Sequence, residues 1–219
     1  MSYQSIISHL EKSRESGGVE KTMAGEVRVG VGIDNRLSLP EPLRRRSWFM
    51  KVYPPVSDER IKKEEESFMT FPNPYKEFLL QANGGSFFNR AITFYGVSVV
   101  DKEKGLDIQP LRVVAENIDR LRKLLPGLFI VGGYYEGAGF LITLDEGGKC
   151  CVFQRGKEHE PPSYTWPTLN DMFEKEVQRF SPYFDKNGQL MDERATFSPP
   201  RFDLPGSEKK LILIDGKLG

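Results

Sequence analysis

The segment after Ser57 carries the pattern of a short, strongly charged helix. Ser57 comes directly before Asp58 and Glu59, and Ile61 follows one turn later. A serine hydroxyl can accept a hydrogen bond from an unpaired amide at a helix N-terminus, and carboxylates are favourable near the positive end of the helix dipole. We therefore predict a helix that begins at about Asp58.

A second helix is predicted from Asn73, because asparagine is a common N-cap and Pro74 would occupy a first-turn position where no amide donor is needed. The apolar positions recur at i, i+3, i+4 and i+7, which predicts one buried stripe. This stripe consists of Tyr75, Phe78, Leu79 and Ala82. The helix is expected to end at Asn83, Gly84 and Gly85, residue types that enter the left-handed conformation readily.

The next part of the chain predicts strands and then a helix. Residues 87–100 alternate imperfectly and are rich in aromatic and β-branched side chains, which favours one or two strands. An amphipathic helix follows and is expected to stop at Pro126 and Gly127. Its apolar stripe consists of Leu111, Val114, Ile118, Leu121 and Leu125.

Three more strands and a final helix complete the pattern. The strands are predicted at residues 129–131, 140–144 and 150–154, and a turn that contains two glycines joins the last two as a hairpin. The helix is expected to begin near Thr168, which forms with Asp171 a variant of the capping box. Its predicted buried face consists of Leu169, Phe173, Val177 and Phe180. Strand clusters separated by helices indicate an α+β fold.

The chain divides into a core at residues 51–185 and two extensions, at residues 1–50 and 186–219. In the first extension, residues 25–33 alternate as in a strand, and a short helix is predicted from four apolar residues at helical spacing. These four are Tyr3, Ile6, Ile7 and Leu10. In the second extension, the apolar residues 211–214 predict a strand that pairs at a sheet edge or with the N-terminal arm.

Three arginines, Arg44, Arg45 and Arg46, come just before Trp48 and Phe49. A basic and aromatic pairing of this kind could contact nucleic acid or lipid headgroups. Three arginines are a weak electrostatic footprint, however, so a solvated turn that leads into an apolar strand is the favoured interpretation.

Several motifs of the core resemble those of one protein superfamily. They are the entry Tyr53-Pro54, the acidic helix centred on Ile61, the run "PNPYKEFLL" and the "NGG" at its end. Farther on come "LFIVGGYYEGAGFLITLDEGGKCCVFQRG", which resembles paired strands around a glycine-rich turn, and "YTWPTLNDMFEKEV", which resembles a closing helix. In this order the motifs are similar to those of the SUKH superfamily, over residues 52–184.

The resemblance implies a SUKH-type fold, with a mixed, mainly antiparallel sheet flanked by about four helices. It also implies a non-enzymatic binding protein. Most members of the superfamily are bacterial immunity proteins, so the implied partner is a cognate toxin, such as a nuclease or deaminase, held in an inactive complex. The alternative is a regulatory scaffold, as in the fungal Smi/Knr-type regulators of cell-wall synthesis.

Composition is consistent with a globular protein and adds little about the partner. The 219 residues are 28% charged and 38% hydrophobic, and the net charge is zero. The sequence shows neither an apolar run of the ~18 residues that a membrane span needs nor an N-terminal leader, so a cytoplasmic protein without membrane contact is expected. Acidic residues exceed basic ones by four in residues 57–185, a bias that would suit an inhibitor of basic nucleases but is too weak to identify the partner. We expect no direct binding of nucleic acid.

Residues suited to catalysis are scarce. His9 and His159 are the only histidines, and the only cysteines, Cys150 and Cys151, are neighbours on a predicted strand and so point to opposite faces. These residues supply neither a nucleophile–base pair nor tetrahedral metal ligands at usable spacing, and we expect no metal site and no cofactor. The alternative is a calcium or magnesium site built from carboxylates alone, although the sequence has no EF-hand pattern. The acidic run Glu64-Glu65-Glu66 is interpreted as a solvated helix face.

Two loops are the candidate partner-binding surface. The first is flanked by glycines, and the second precedes the final helix. Tyrosine and tryptophan offer large contact areas at low entropic cost, and nearby carboxylates would pair with basic groups of a partner. The candidate residues are Tyr134, Tyr135, Glu136, Glu158, Glu160 and Trp166, with Tyr164 beside them. The alternative is that Trp166 and one of the tyrosines pack in the core.

Overall fold

The structure, a computed structural model, describes residues 19–22, 25–31, 48–88, 91–98, 110, 113–117, 125–134, 139–183 and 191. The strands are β1 (Val19–Thr22), β2 (Gly25–Val31), β3 (Trp48–Val52), β4 (Gly85–Phe87), β5 (Ile92–Phe94), β6 (Leu128–Tyr134), β7 (Phe140–Asp145), β8 (Cys150–Gln154) and β9 (Tyr164–Trp166). The helices are α1 (Asp58–Ser67), α2 (Asn73–Leu79), α3 (Val113–Asn117) and α4 (Leu169–Phe180), followed by a 3₁₀ turn (Ser181–Tyr183).

The nine strands form one sheet whose spatial order is the order of the chain, from β1 to β9. Each strand pairs antiparallel with the next one along the chain. The predicted α+β class is confirmed. Among the described strands every pairing is antiparallel, so the sheet is larger and more regular than the predicted mixed sheet.

Helices α2 and α4 pack on one face of this sheet through aromatic rings. The ring of Phe94 on β5 lies 4.2 Å from that of Phe173 on α4, and Phe78 on α2 lies 5.6 Å from both rings. The stripe predicted for α2 is buried in full. Three of the four positions predicted for the buried face of α4 are buried as well, and Val177 is partly buried.

The predicted helix starts are confirmed at α1 and α4 but not at α2. The Ser57 hydroxyl accepts from the Arg60 amide at 3.2 Å, and the Thr168 hydroxyl accepts from the Asp171 amide at 3.1 Å. Asn73 is not the N-cap of α2. The helix starts one residue earlier, because the carbonyl of Pro72 already accepts from the amides of residues 75 and 76, at 2.9 and 3.1 Å.

Helix α2 ends at Leu79, with Leu80 as its C-cap, so the prediction that Asn83, Gly84 and Gly85 end the helix was wrong; these residues form the turn into β4. Gly84 has φ +77°, and a Cβ atom there would lie 2.7 Å from the carbonyl oxygens of Phe94 and Tyr95. Asn83 is buried. Its side-chain Nδ2 donates to the Val97 carbonyl at 2.8 Å, and its side-chain Oδ1 accepts from the Val97 amide at 2.7 Å. The turn therefore approaches the backbone after β5 as closely as a paired strand does.

A second buried asparagine anchors α3. Asn117 donates to the carbonyls of Val113 and Ile130, at 2.9 and 2.7 Å, and accepts from the Ile130 amide at 2.8 Å. The structure describes only residues 113–117 of the helix predicted here, so Leu111, Ile118 and Leu121 lie outside the described residues.

The interpretation of the acidic run on α1 as a solvated face was wrong for Glu64. Its side chain is only 3% exposed and lies 2.8 Å from the guanidinium of Arg60, which also donates to the carbonyl of Ser98. Glu65 accepts from the Phe71 amide at 2.7 Å and so orders the turn into α2. Only Glu66 is fully on the solvated side.

The strand predicted in the N-terminal extension is β2, and β1 joins it in the same sheet. The short helix predicted around Ile6, the arginine cluster at residues 44–46 and the strand at residues 211–214 lie outside the described residues. The division into a core and two extensions stays a prediction. None of the helices in the described part of the chain has the length and apolar character that a membrane crossing requires.

Candidate functional site

The two candidate loops leave the sheet at the same end. Tyr134, the last residue of β6, pairs with Phe140 at the start of β7, which pairs in turn with Gln154 at the end of β8. Beyond this row the Arg155 amide donates to the Gly139 carbonyl at 3.0 Å. We call the surface formed by residue 139 and residues 154–163 the loop end of the sheet.

Internal hydrogen bonds fix the conformation of the loop between β8 and β9. The Lys157 amide donates to the Gln154 carbonyl at 3.0 Å, and the Glu160 amide donates to the Lys157 carbonyl at 2.9 Å. Gly156 has φ +87°, a conformation that other residues rarely adopt, and its amide donates to the Glu158 carboxylate at 2.9 Å. The loop is therefore ordered before any partner arrives.

The predicted site carboxylates differ in what they offer a partner. Glu158 is half-buried, and one of its oxygens holds the Gly156 amide. Glu160 is exposed and lies 3.9 Å from the Lys157 ammonium in a solvent-exposed ion pair, which contributes little to stability. Tyr135 and Glu136, the other part of the predicted surface, lie outside the described residues.

Two predicted site residues belong to the core. Tyr134 is fully buried, with its ring edge-on to Phe140 at 6.5 Å, and Trp166 is buried with its ring 4.5 Å from that of Tyr164. Their burial agrees with the alternative in which Trp166 and one tyrosine pack in the core. Tyr164 is partly buried and packs against the core, so among the described aromatic residues of this set it is the one that keeps some exposed surface.

An ion pair between a buried carboxylate and a partly buried guanidinium lies behind the loop end and was not predicted from the sequence. Glu176 of α4 is buried, and both of its oxygens accept from Arg179 one turn later, the Oε1–Nε distance being 2.9 Å. The Arg179 guanidinium also lies 4.0 Å from the centre of the Phe180 ring. The i, i+3 spacing of the two charges was the signal, but the same spacing is common on solvated helix faces.

This ion pair acts electrostatically on Tyr134. Burial, and then the negative charge of Glu176, raise the pKa of the Tyr134 hydroxyl well above its usual value. Burial alone would lower the pKa of Arg179, but its hydrogen bonds and ion pair with Glu176 raise it. Both groups therefore keep their protons over the whole physiological range.

The charges of the β8–β9 loop balance. Arg155 and Lys157 oppose Glu158 and Glu160, and His159 is exposed between the two acids. Such a loop suits a partner of mixed charge through short-range pairing, and long-range attraction to a strongly basic partner would have to come from elsewhere on the chain.

The two cysteines are poorly suited to reactivity. Burial raises the pKa of Cys150 well above its usual value, and burial also raises that of Cys151. Since the thiolate is the nucleophile and the metal ligand, both thiols are inert at neutral pH. Within the described residues no group of three His, Cys, Asp or Glu side chains is placed to hold a metal ion.

The buried thiol predicts an alkaline loss of stability. The folded chain holds the Cys150 proton to a higher pH than the unfolded chain does, so this stabilisation is complete below pH ~8.5 and is lost as the pH rises, by up to about 1.4 kcal/mol per pH unit. Urea unfolding at pH 8 to 10 should show the fall, and Cys150→Ala should make it less steep, with a remainder from Cys151, whose pKa is also raised. An equally steep fall in Cys150→Ala would contradict this assignment.

The model of the SMI1 / KNR4 family (SUKH-1) matches residues 55–175, which is more than half of the chain. The match runs from the entry into α1 to the middle of α4, and it includes the whole loop end. A search of curated proteins found no match.

Proposed function

Because the chain belongs to the SMI1 / KNR4 family (SUKH-1), we propose that it is a non-enzymatic protein-binding module, and that it acts as an immunity protein that holds a cognate toxin in an inactive complex. Inhibition of this kind requires only that the bound protein cover the active site or substrate channel of the toxin. No residue of this chain has to perform chemistry.

The observation that carries the proposal is the ordered β8–β9 loop. A loop that is fixed before binding loses little conformational entropy when a partner binds, and this makes its exposed groups effective contacts. Glu160, Lys157 and His159 are exposed on this loop, and the partly buried Tyr164 follows it. We propose that these residues, together with Tyr135 and Glu136 of the neighbouring loop, contact the toxin.

The roles of the two glutamates can be separated by substitution. Glu160→Lys reverses an exposed charge and should weaken binding by removing a contact. Glu158→Gln keeps the shape of the side chain but weakens its hydrogen bond to the Gly156 amide, so it should lower affinity through the order of the loop. We expect about a tenfold loss of affinity for each, equivalent to ~1.4 kcal/mol.

The test is co-expression with the toxin encoded beside this chain, with survival scored for the wild type and each variant. Glu66→Lys is the matched control, since it makes the same charge change on the exposed side of α1 and should protect as the wild type does. Protection lost equally in the control would indicate a net-charge effect. Protection kept by both loop variants would refute this surface, whereas killing despite abundant wild-type protein would refute the immunity function.

A further inference from the structure

Helix α4 packs on the sheet face to which Tyr134 points. Ile92 pairs with Phe87 on one side and with Tyr134 on the other, so the three side chains share one face of the sheet. The ring of Phe87 lies 5.9 Å from that of Phe173, which places α4 on this face. We call three residues at the C-terminal end of this helix the α4 base: Glu176, Arg179 and Phe180.

Near Tyr134, the turn between β4 and β5 contains a strained residue. Phe88 has φ +53°, a left-handed conformation that is unfavourable for a bulky side chain. Its ring is buried with its centre 5.1 Å from that of Phe180, and its carbonyl accepts from the Ala91 amide at 3.1 Å. Strain of this kind persists only where the surrounding structure fixes it, and it is concentrated at functional sites. The contact with Phe180 of the α4 base provides this restraint.

The Tyr134 hydroxyl ends beside the charged members of the α4 base. It is buried, and no hydrogen bond of good geometry ends on it. Burial, and then the negative charge of Glu176, raise its pKa, so the carboxylate lies within electrostatic reach of the hydroxyl. Both Glu176 oxygens accept from Arg179, and each can accept a second hydrogen bond. A buried hydroxyl without a partner is costly and a hydrogen bond to a carboxylate is strong, so the two groups suit each other.

We propose that Tyr134 is a positioning residue for the proposed toxin contacts, and that its hydroxyl, after a small shift of the ring, donates to the Glu176 carboxylate. This role rests on the proposed function, since Tyr135 and Glu136 follow Tyr134 directly and are among the proposed contacts. Tyr134 also pairs with Phe140, so it holds both ends of the connection between β6 and β7. Tyr134 is buried and acts through these neighbours, without contact to the toxin.

Two substitutions in the full chain, each of which removes one buried hydroxyl, test this role. Tyr134→Phe removes the hydroxyl at the loop end and keeps the ring. Tyr75→Phe is the matched control, because Tyr75 is equally buried and its hydroxyl donates to the Tyr95 carbonyl at 2.8 Å. Its ring packs on Phe129, near the opposite end of β6. Urea unfolding of both variants establishes first that each one folds.

Hydrogen exchange reports local opening of the loop end without any toxin, at the Arg155 amide that donates to the Gly139 carbonyl. This amide should exchange at least ~fivefold faster in Tyr134→Phe and at the wild-type rate in Tyr75→Phe. Glu176→Gln should also speed its exchange, and Tyr134→Phe should then add less than it does alone, because both changes weaken the same contact. Calorimetry with the candidate toxin domain should show about a fivefold loss of affinity for Tyr134→Phe and none for Tyr75→Phe.

Unchanged exchange in Tyr134→Phe would overturn the proposal, as would full affinity of this variant for a toxin that the wild type binds. Equal effects of the two tyrosine substitutions, or a Tyr134→Phe chain that fails to fold, would also overturn it, because the hydroxyl would then support the whole core. Independent effects of Tyr134→Phe and Glu176→Gln would refute the hydrogen bond. If the wild type binds no toxin, the proposed function fails, and the exchange rates alone decide whether Tyr134 positions the loop end.

Discussion

Gly84→Ala is expected to lower the free energy of unfolding by about 3 kcal/mol or more. Two penalties combine at this position. The left-handed conformation, φ +77°, costs a residue with a Cβ atom roughly 1–2 kcal/mol. The new Cβ atom would also lie 2.7 Å from two backbone oxygens, a distance that the sheet can relieve only by moving the segment after β5.

Gly127→Ala is the matched control for this prediction. Gly127 has the same φ of +77°, but a Cβ atom there would meet nothing within 4 Å. Urea unfolding of the two variants therefore separates backbone strain, which they share, from the close approach, which only Gly84 has. Equal losses of unfolding free energy in both variants would show that a Cβ atom at position 84 does not clash with the carbonyl oxygens of Phe94 and Tyr95.

Arg179→Met is expected to destabilise the chain by about 3 kcal/mol or more, because it leaves the Glu176 carboxylate buried without its partner. Lys157 and Glu160 form a second ion pair with the same i, i+3 spacing, but both side chains are 50% exposed. Lys157→Met should therefore cost less than about 1 kcal/mol. Thermal or urea unfolding of the two variants compares their losses of unfolding free energy. Because both ion pairs have the same spacing in the sequence, a difference between the losses reflects burial.

A second substitution tests the cause of that loss. Adding Glu176→Gln to Arg179→Met removes the unpaired charge, so the double variant should be more stable than Arg179→Met alone. A double variant no more stable than Arg179→Met would show that the loss does not come from the unpaired charge of Glu176, and would leave the packing of Arg179 on Phe180, 4.0 Å away, as its cause.

The sequence predicted those parts of the fold that local chemistry determines. The hydroxyls of Ser57 and Thr168 cap their helices as expected, and the spacing of apolar residues identified the buried face of α2. The error at Asn73 has a local cause as well, since Pro72 and Pro74 both provide start signals within three residues. The first residue of the helix depends on which backbone carbonyl accepts from the amides of the first turn, and here it is that of Pro72.

Burial of polar groups could not be predicted in the same way. Glu64 and Glu176 look like ordinary charges of solvated helices, and only the packing of their helices on the rest of the chain makes them buried members of ion pairs. The pairing of Asn83 with Val97, and of Asn117 with Ile130, joins residues 14 and 13 positions apart. No local pattern determines which backbone group such an amide will reach.

The candidate site was predicted in part. Both loops were chosen for their aromatic residues and acids, and the first also for its flanking glycines. Their position at one end of the sheet follows from the pairing of β6, β7 and β8. Tyr134 was assigned to a loop because glycines flank it, yet β6 continues to this residue and buries its ring. The ordered β8–β9 loop depends on hydrogen bonds that residue types alone do not specify.

Titration calorimetry of the purified chain with the candidate toxin domain, which the proposed function leads us to expect in a neighbouring gene, tests that function most directly. We predict a single tight 1:1 complex, with toxin activity abolished at equivalence and affinity lowered about tenfold by Glu160→Lys but not by Glu66→Lys. The absence of binding at micromolar concentrations of both folded proteins, or a complex in which the toxin keeps its full activity, would contradict the proposal.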